Sequence, residues 1–570
     1  MGRLLQRCAA LLESFDAALT EEMGGQAARL ELTLAVRDRC VALGSKLGAR
    51  FNSGSALKAM TDDGTRRLQK ANAALASSSG SLDEAIDADG ERAALACEAT
   101  LDGMCALLRG VTQWDAYMKG RTEGGGGGSA GGSGASSSAG GVSSGGGGGG
   151  GGAGVGEALR HAPPFSEMAR SAISLGHFWA YAAIGRAVRT PDAAGAEGTG
   201  AVATSTEADE VGGGDGSSSG LTEKVDSAFY VLQTSLRRAA HTCDAGISTA
   251  AVKHACALLV KLVLAHLQGQ LKLASSISSK AQSLLAGAAL AGVSQMSTSA
   301  AEGGGRASKV AAQAGMAVSA AAGKSQLGLL RTLSALHLCV SYTPRLWKAA
   351  ADDFARSLPP HALGGTTAQL SDADSVREAF EAALEGGLKQ LSSSLLPRLH
   401  KRLEAFSAAS YTLQTEAAFA AAEGDTFVAG LMAELESAVR PLSPTLADGA
   451  KEALLQVLIA ACAERLEELL FAKRFDQLGA LQFDRDVRAL TKRLGELTSR
   501  SVRELIARLT QMCTLLNLES EAECAELWAE GGWRVSAIEA KRVLALRVDF
   551  NTDRINYLAL AEDRGVPSRS

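Results

Sequence analysis

Aromatic residues and proline are scarce in this 570-residue chain: Phe, Trp and Tyr together make up 4%, and there are 10 prolines. Hydrophobic residues nevertheless reach 46%. Much of that share is alanine, which favours helix and buries little area per residue. With so little proline, turns and connections must come mainly from the 64 glycines. Since no alternating β pattern of any length is present, the sequence predicts an all-α protein whose helices are joined by Gly/Ser-rich segments.

The chain also lacks a strong excess of either charge. It carries 57 Lys and Arg against 62 Asp and Glu, for a net charge of -5. Nucleic-acid-binding proteins usually carry a basic patch or stripe, so we expect no nucleic-acid partner. A dense run of Lys and Arg that would hold anionic lipid is missing as well.

Cysteines in metal-binding or disulfide spacing are absent. None of the ten forms a C-x-x-C pair, and none is combined with histidine at zinc-ligand spacing. This usage predicts reduced, mostly buried thiols of a cytosolic protein, with no bound metal. The uncharged run Ala281–Ala301 is a poor membrane span because Ala, Ser and Gly dominate it, and a helix end running into a linker is the better interpretation.

The motifs of common enzyme classes are incomplete or missing. Gly323-Lys324-Ser325 resembles the end of a phosphate loop, but Val318 stands where that loop requires glycine. The eight histidines are scattered, H-E-x-x-H does not occur, and we find no Gly-x-Ser-x-Gly elbow outside the Gly/Ser-rich tracts. We therefore expect no catalysis and no cofactor.

Two aspartate pairs are the remaining candidates for metal chemistry. Each pair is followed three residues later by an arginine that would repel a divalent cation, so we interpret both as ordinary charged helix surface. The pairs are Asp62-Asp63 with Arg66 and Asp352-Asp353 with Arg356.

Low-complexity tracts divide the chain into segments. A tract of Gly, Ser and Ala cannot bury enough apolar surface to offset its ordering entropy, so we expect such tracts to be disordered. The predicted organisation is a helical bundle at 1–120, a disordered Gly/Ser linker at 121–156, a helical segment at 157–190, a disordered linker at 191–220, a helical bundle at 221–294, a low-complexity linker at 295–325, a helical bundle at 326–425 and a C-terminal helical bundle at 426–570.

Helix signals are clearest in the C-terminal segment. Apolar residues recur at helical spacing from Val487 to Leu497 and again from Val502 to Leu516. Ser536-Ala537-Ile538-Glu539 fits a capping box, in which the serine oxygen accepts the amide of Glu539 and the carboxylate reaches back to the serine amide. These patterns predict a compact bundle with defined helix ends.

Three blocks at this end carry a resemblance to a known family. They are Arg474-Phe475-Asp476-Gln477-Leu478-Gly479-Ala480-Leu481-Gln482-Phe483-Asp484-Arg485-Asp486-Val487-Arg488, Ile506 to Glu519, and Val543 to Phe550. In this order and spacing they resemble the C-terminal end of subunit 4 of the conserved oligomeric Golgi (COG) complex, a vesicle-tethering complex. Weaker similarity extends upstream to about residue 28. The family's long N-terminal coiled-coil region has no counterpart in this sequence, and glycine-rich segments stand where the family has short loops.

The resemblance implies an elongated rod of stacked helical bundles without catalytic activity. It implies peripheral association with the cytosolic face of the Golgi membrane and a role in retrograde intra-Golgi vesicle tethering, SNARE assembly and Golgi organisation. The implied partners are the other subunits of the complex, Golgi SNAREs and a Sec1/Munc18-type protein. The alternatives are a subunit of another helical-rod tether, such as the exocyst, and a helical enzyme with an unrecognised site.

Eight residues are the candidates for structural or interaction roles at the C-terminal end. The resemblance implies an ion pair between Arg508 and Glu539; the alternative is that Glu539 only completes the capping box and Arg508 is solvated. The full set is Arg508, Glu539, Phe475, Leu478, Gly479, Phe483, Trp528 and Ser536.

Overall fold

In the computed structural model, the described residues are 2–21, 26–54, 56–76, 88–123, 159–189, 219–277, 305–421 and 427–560. They are overwhelmingly helical and contain no β-strand, which confirms the predicted all-α class for this part of the chain. The chain divides into two compact units. Unit 1 comprises residues 1–266 and 338–379, and unit 2 comprises residues 267–337 and 380–570.

The first unit is built around one helix that is buried on most of its faces. This helix, α5, begins at Pro163, where the fixed backbone angle of proline suits a first helical position, and ends at Arg189. Its buried side chains include Phe165, Trp179 and Ile184, and it packs against the helices before and after it. The helices before and after it in this part of the chain are α1 (Gly2–Glu21), α2 (Gln26–Gly54), α3 (Leu57–Ala76), α4 (Ala88–Glu123), α6 (Ser219–His241) and α7 (Ala245–Ile277).

Helix α7 is long and apolar enough, by length and composition, to span a membrane. Half of its most apolar window is nevertheless buried against neighbouring helices, as expected for a core helix of a globular bundle. Asp244 caps its start by accepting the Ile247 amide at 3.0 Å, and residues Leu259–Leu264 form a π-helical turn within it.

Three helices follow α7 along the chain. These are α8 (Gly305–Ser357), α9 (Pro360–Asp372) and α10 (Asp374–Ala408). The C-terminal bundle of unit 2 then contains eight shorter helices in its described residues: α11 (Glu416–Ala421), α12 (Phe427–Val439), α13 (Asp448–Leu470), α14 (Gln477–Leu497), α15 (Arg503–Leu516), α16 (Glu523–Ala529), α17 (Ala537–Leu544) and α18 (Thr552–Tyr557).

The structure corrects one of the predicted linkers. Residues 305–325 were expected to be low-complexity linker, yet α8 begins at Gly305 and runs through them. Most side chains in this stretch are alanine or other helix formers, and the propensity of alanine outweighs the low complexity. The predicted bundle at 326–425 is also divided between the two units. Most of the linkers 121–156 and 191–220, and the run Ala281–Ala301, lie outside the described residues.

Candidate interaction site

The backbone at Phe475 joins three separate parts of the C-terminal bundle. Its amide donates to the Leu546 carbonyl at 3.0 Å, and its carbonyl accepts from the Val548 amide at 2.9 Å. The next amide, that of Asp476, donates to the Tyr411 carbonyl at 3.2 Å. The first and third family-like blocks are therefore hydrogen-bonded to each other across this segment.

Aromatic rings fill the space beneath this junction. Phe475 and Phe483 are both fully buried and stand 5.6 Å apart between ring centroids, and Tyr411 lies 5.3 Å from Phe475. Phe406 and Phe427 extend the same cluster. Tilted and edge-to-face rings at such distances add stability beyond the area they bury. Much of the chain's small aromatic content is thus concentrated where these elements meet.

Gly479 is held directly against the backbone of Tyr411. A Cβ at this position would fall 1.6 Å from the Tyr411 carbonyl oxygen, so only glycine fits. Asp476 caps α14 by accepting the Gly479 amide at 2.7 Å, which fixes the first turn in this position. Leu478 of the same turn is half-buried. The Phe-x-x-Leu-Gly signature therefore marks the closest approach between α14 and the segment around residue 411.

A buried polar cluster fixes the orientation of Tyr411. Its hydroxyl donates to Asp486 at 2.8 Å, and the Gln482 amide donates to the other carboxylate oxygen at 2.9 Å. Burial raises the pKa of Asp486 above its ordinary value, although both hydrogen bonds favour the charged form. Burial and the neighbouring Asp486 charge likewise raise the pKa of Tyr411.

Arg508 connects three helices. From α15, its Nη2 donates to Glu539 of α17 at 2.7 Å and its Nε donates to Glu467 of α13 at 3.1 Å. Nη1 donates to the Arg534 carbonyl at 2.7 Å. All three ionic side chains are at most 22% exposed, so water screens them less than a surface pair.

Glu539 makes its two contacts with different carboxylate oxygens. One oxygen accepts from Arg508, and the other accepts from the backbone amide of Ser536 at 2.9 Å, which completes the predicted capping box. Burial alone would raise the pKa of Glu539, but the hydrogen bonds from Arg508 and Ser536 outweigh burial and hold this pKa below its ordinary value. One carboxylate thus pairs with Arg508 and also completes the capping box.

Trp528 stacks on Trp533 across the turn that precedes α17. Their ring centroids are 5.0 Å apart with an interplanar angle of 14°, and both rings are buried. Gly531 and Gly532 close the turn with φ values of 77° and 79°, a region that L-residues with a side chain rarely occupy. The stack and the glycines together position Ser536 for its capping role.

Arg547 is an organising residue that our sequence reasoning did not single out. Its guanidinium is buried and donates to the Leu518 carbonyl at 3.2 Å, to the Leu516 carbonyl and, through two nitrogens, to the Asp549 carboxylate. The Phe550 ring lies 4.3 Å from the guanidinium carbon. Arg547 thereby caps the carbonyl end of α15, and the alternation of Arg547 and Asp549 in the sequence was the available signal.

One aspartate of each pair forms ion pairs with arginine on the helix surface. Asp63 contacts Arg66 at 2.9 Å and Arg67 at 2.7 Å, and Asp353 contacts Arg356. No group of three or more His, Cys, Asp and Glu side chains suited to a metal ion occurs within the described ranges.

The C-terminal bundle is thus an all-α domain whose charged groups join helices to one another. Residues 330–542, which include all eight candidate residues, match the family model for "Conserved oligomeric Golgi complex subunit 4, C-terminal". The C-terminal part of this chain is therefore similar to the C-terminal part of COG complex subunit 4.

Curated relatives of that name support the match. The chain is 37% identical over 196 residues to the Arabidopsis thaliana subunit 4, covering 34% of this chain and 26% of the relative. It is 31% identical over 248 residues to the Mus musculus subunit 4, covering 42% of this chain and 32% of the relative. The match therefore spans a third or less of these relatives.

Among solved structures, the C-terminal domain of the exocyst subunit Sec6p aligns with a TM-score of 0.43 and 12% identity. The alignment covers 68% of this chain and 88% of that one. A TM-score of this size is too low to establish a common fold.

Proposed function

We propose that this chain acts as a non-catalytic subunit of the conserved oligomeric Golgi complex, in retrograde intra-Golgi vesicle tethering and Golgi organisation. The observation that carries the proposal is the match of residues 330–542 to the C-terminal domain of subunit 4. The internal use of charge in this domain supports it. Arg508, Glu467, Glu539 and Arg547 hold helices together, and they form no open constellation of titratable groups such as a catalytic site requires.

The partners proposed on the same grounds are the other subunits of the complex, Golgi SNAREs and a Sec1/Munc18-type protein. Membrane association is proposed to be peripheral, at the cytosolic face of the Golgi and through the complex. Half of the most apolar stretch of helix α7 is buried within the protein. This burial favours attachment to the membrane through the complex and not through α7.

Affinity purification of the tagged full chain from its own cells tests this function. We expect the other COG subunits to co-purify and alkaline carbonate to release the chain from Golgi membranes. Recovery of exocyst subunits without COG subunits would assign the chain to the exocyst. A stoichiometric small molecule or metal detected by native mass spectrometry would favour the enzyme alternative.

A further inference from the structure

Helix α17 presents an exposed face that combines an apolar residue with two cations. Ile538, Lys541 and Arg542 lie on the side opposite the buried Ala540, Val543 and Leu544, because residues three and four apart share one face of a helix. Ile538 is an aliphatic residue, and its side chain is 72% exposed to solvent. This surface is continuous with the capping box but takes no part in it.

Two further residues join this surface through contacts with α17. The Arg474 guanidinium donates to the Ala545 carbonyl at 2.8 Å, which places it at the C-terminal end of the helix. The Lys541 ammonium donates to the Asn556 carbonyl at 3.0 Å, so the C-terminal end of α18 lies next to α17. Tyr557, the last residue of α18, is 89% exposed. We call this surface the α17 face and define it by Ile538, Lys541, Arg542, Arg474 and Tyr557.

The three cations of the α17 face have no carboxylate partner among the described residues. Arg474 and Lys541 contact backbone carbonyls, and Arg542 lies over the Phe471 ring at 4.1 Å. Arg508 and Arg547 of the same bundle, by contrast, form ion pairs with carboxylates. The three cations of this face are therefore held by backbone carbonyls and a ring, and no carboxylate among the described residues forms an ion pair with them.

Neighbouring carboxylates do not offset this charge. Glu539 is committed to Arg508 and Ser536, and Asp549 is committed to Arg547. Asp553 lies four residues before Tyr557 on α18 and so contributes one exposed carboxylate, against the three cations of the α17 face. An approaching anionic group would therefore meet a locally positive surface.

We propose that the α17 face docks a segment of a partner protein that carries Asp or Glu beside an aliphatic or aromatic side chain. The acidic groups would pair with Lys541, Arg542 and Arg474, and the apolar side chain would cover Ile538 and Tyr557. Tyrosine and arginine are enriched among residues that dominate interface energies, and complementary charge sets orientation and specificity. Cations beside exposed apolar side chains also suit an anionic membrane surface, and the vesicle experiment below distinguishes that occupant. The choice of COG subunits as the source of this segment rests on the proposed function, whereas the surface itself rests on the contacts described above.

Two sets of peptide probes test the proposal on the full chain. One set is overlapping peptides from the other subunits of the COG complex of the same organism. The other is a designed helical peptide rich in Glu and Leu, with a matched peptide in which every Glu is Lys. We expect the Glu/Leu peptide and at least one acidic subunit peptide to bind. The double variant Lys541→Glu/Arg542→Glu should weaken both by about tenfold or more, and it should gain affinity for the Lys/Leu peptide.

Matched variants separate docking from folding. Lys492→Glu reverses an exposed charge on α14 away from this face and should leave peptide binding and the melting temperature unchanged. Ile538→Ser and Tyr557→Ser should weaken peptide binding without lowering the melting temperature, since both side chains are already in water.

Each alternative occupant gives a distinct result. Failure of both peptide sets, or equal binding by the charge-reversed variant, overturns the docking surface. Binding to phosphatidylserine vesicles that the double variant abolishes, without peptide binding, would assign the face to membrane. A dimer in sedimentation that the same variant dissociates would assign it to a second copy of the chain. If the designed Glu/Leu peptide binds but no subunit peptide does, the surface stands and the proposed COG assignment is contradicted.

Discussion

The backbone carbonyl of Tyr411 occupies the place where a side chain at Gly479 would have to be, because a Cβ on Gly479 would lie 1.6 Å from that oxygen. The same Cβ would lie 3.0 Å from the Asp476 carboxylate oxygen that accepts the hydrogen bond of the Gly479 amide. Neither the carbonyl nor the capped turn can move alone, since the Tyr411 carbonyl also accepts the Asp476 amide. The glycine is thus required by the approach of two backbones and not by its own φ angle.

Replacing Gly479 with alanine should destabilise the full chain by about 3 kcal/mol, since overpacking against backbone cannot be relieved by rotating a side chain. Chemical denaturation followed by circular dichroism measures the change. Gly495→Ala in the same helix is the matched control, because no other atom lies within 4 Å of the place that its Cβ would take. That control should stabilise by about 0.5–1 kcal/mol through helix propensity. Equal effects at the two positions would contradict the close approach.

Removing the Arg508 side chain should cost more than removing an ordinary surface arginine. Arg508→Leu removes the cation that contacts both the buried Glu467 and the half-buried Glu539, and we expect a loss on the order of 2–3 kcal/mol. Arg488→Leu removes an ion pair with Asp484 in which the arginine is 80% exposed, and should cost less than about 0.5 kcal/mol. Urea denaturation of both variants makes the comparison.

A double-mutant cycle of Arg508→Leu with Glu539→Gln isolates their direct interaction, for which we expect a coupling of about 1–2 kcal/mol. The pKa of Glu539 is depressed in the folded protein, so its contribution is present above the ordinary value of 4.5 and is lost as the pH falls below it. Arg508→Leu should flatten the stability profile in that acidic range. Additive single effects and an unaltered profile would mean that the two residues act independently.

Residue patterns alone predicted the contacts whose partners are close along the chain, whereas the Arg508–Glu539 pair was expected only from the family resemblance. Ser536 and Glu539 stand three residues apart, and the capping box follows from that spacing alone. The second partner of Arg508 could not be predicted, because Glu467 lies on α13 and no local sequence pattern around it indicates a contact with α15. The same holds for Gly479, whose need for glycine depends on Tyr411 in a distant segment.

The fold was predictable to a similar extent. Helical periodicity and the absence of alternating patterns indicated an all-α chain, because both signals are local. The division into two units was not predictable, since helices such as α8 and α10 contribute residues to both. Residues 305–325 were misassigned because low complexity was given more weight than the alanine content that favours helix there.

Arg547 should tolerate lysine poorly even though lysine keeps the positive charge. The guanidinium serves two carbonyls of the α15 end and both oxygens of Asp549 at once, and a lysine ammonium cannot reproduce this planar fork. We expect Arg547→Lys to lower stability by about 2 kcal/mol, because buried carbonyls lose their donors. Arg554→Lys is the control, since Arg554 is 76% exposed and lies 3.6 Å from Glu521. Thermal melting of the full chain would show a clear difference between the two, and equal melting temperatures would show that the fork is dispensable.

His177 and His254 predict an acid-sensitive step in unit 1. Their rings stack with centroids 3.9 Å apart. Burial, together with His254 and Lys261, lowers the pKa of His177 from 6.5 to about 4, and burial lowers that of His254. The unfolded chain therefore binds more protons than the folded one between these values, so stability present at pH 7 is lost as the pH falls from 6.5 toward 4.

The expected loss from His177 is on the order of 2 kcal/mol across that interval, after allowance for its partial exposure. His177→Phe keeps a ring against His254 but cannot titrate, so unfolding free energies measured at several pH values should fall less steeply for this variant than for the wild type. His241→Asn changes an exposed histidine and should leave the wild-type slope intact. An identical slope in His177→Phe would show that this stacked pair does not resist protonation.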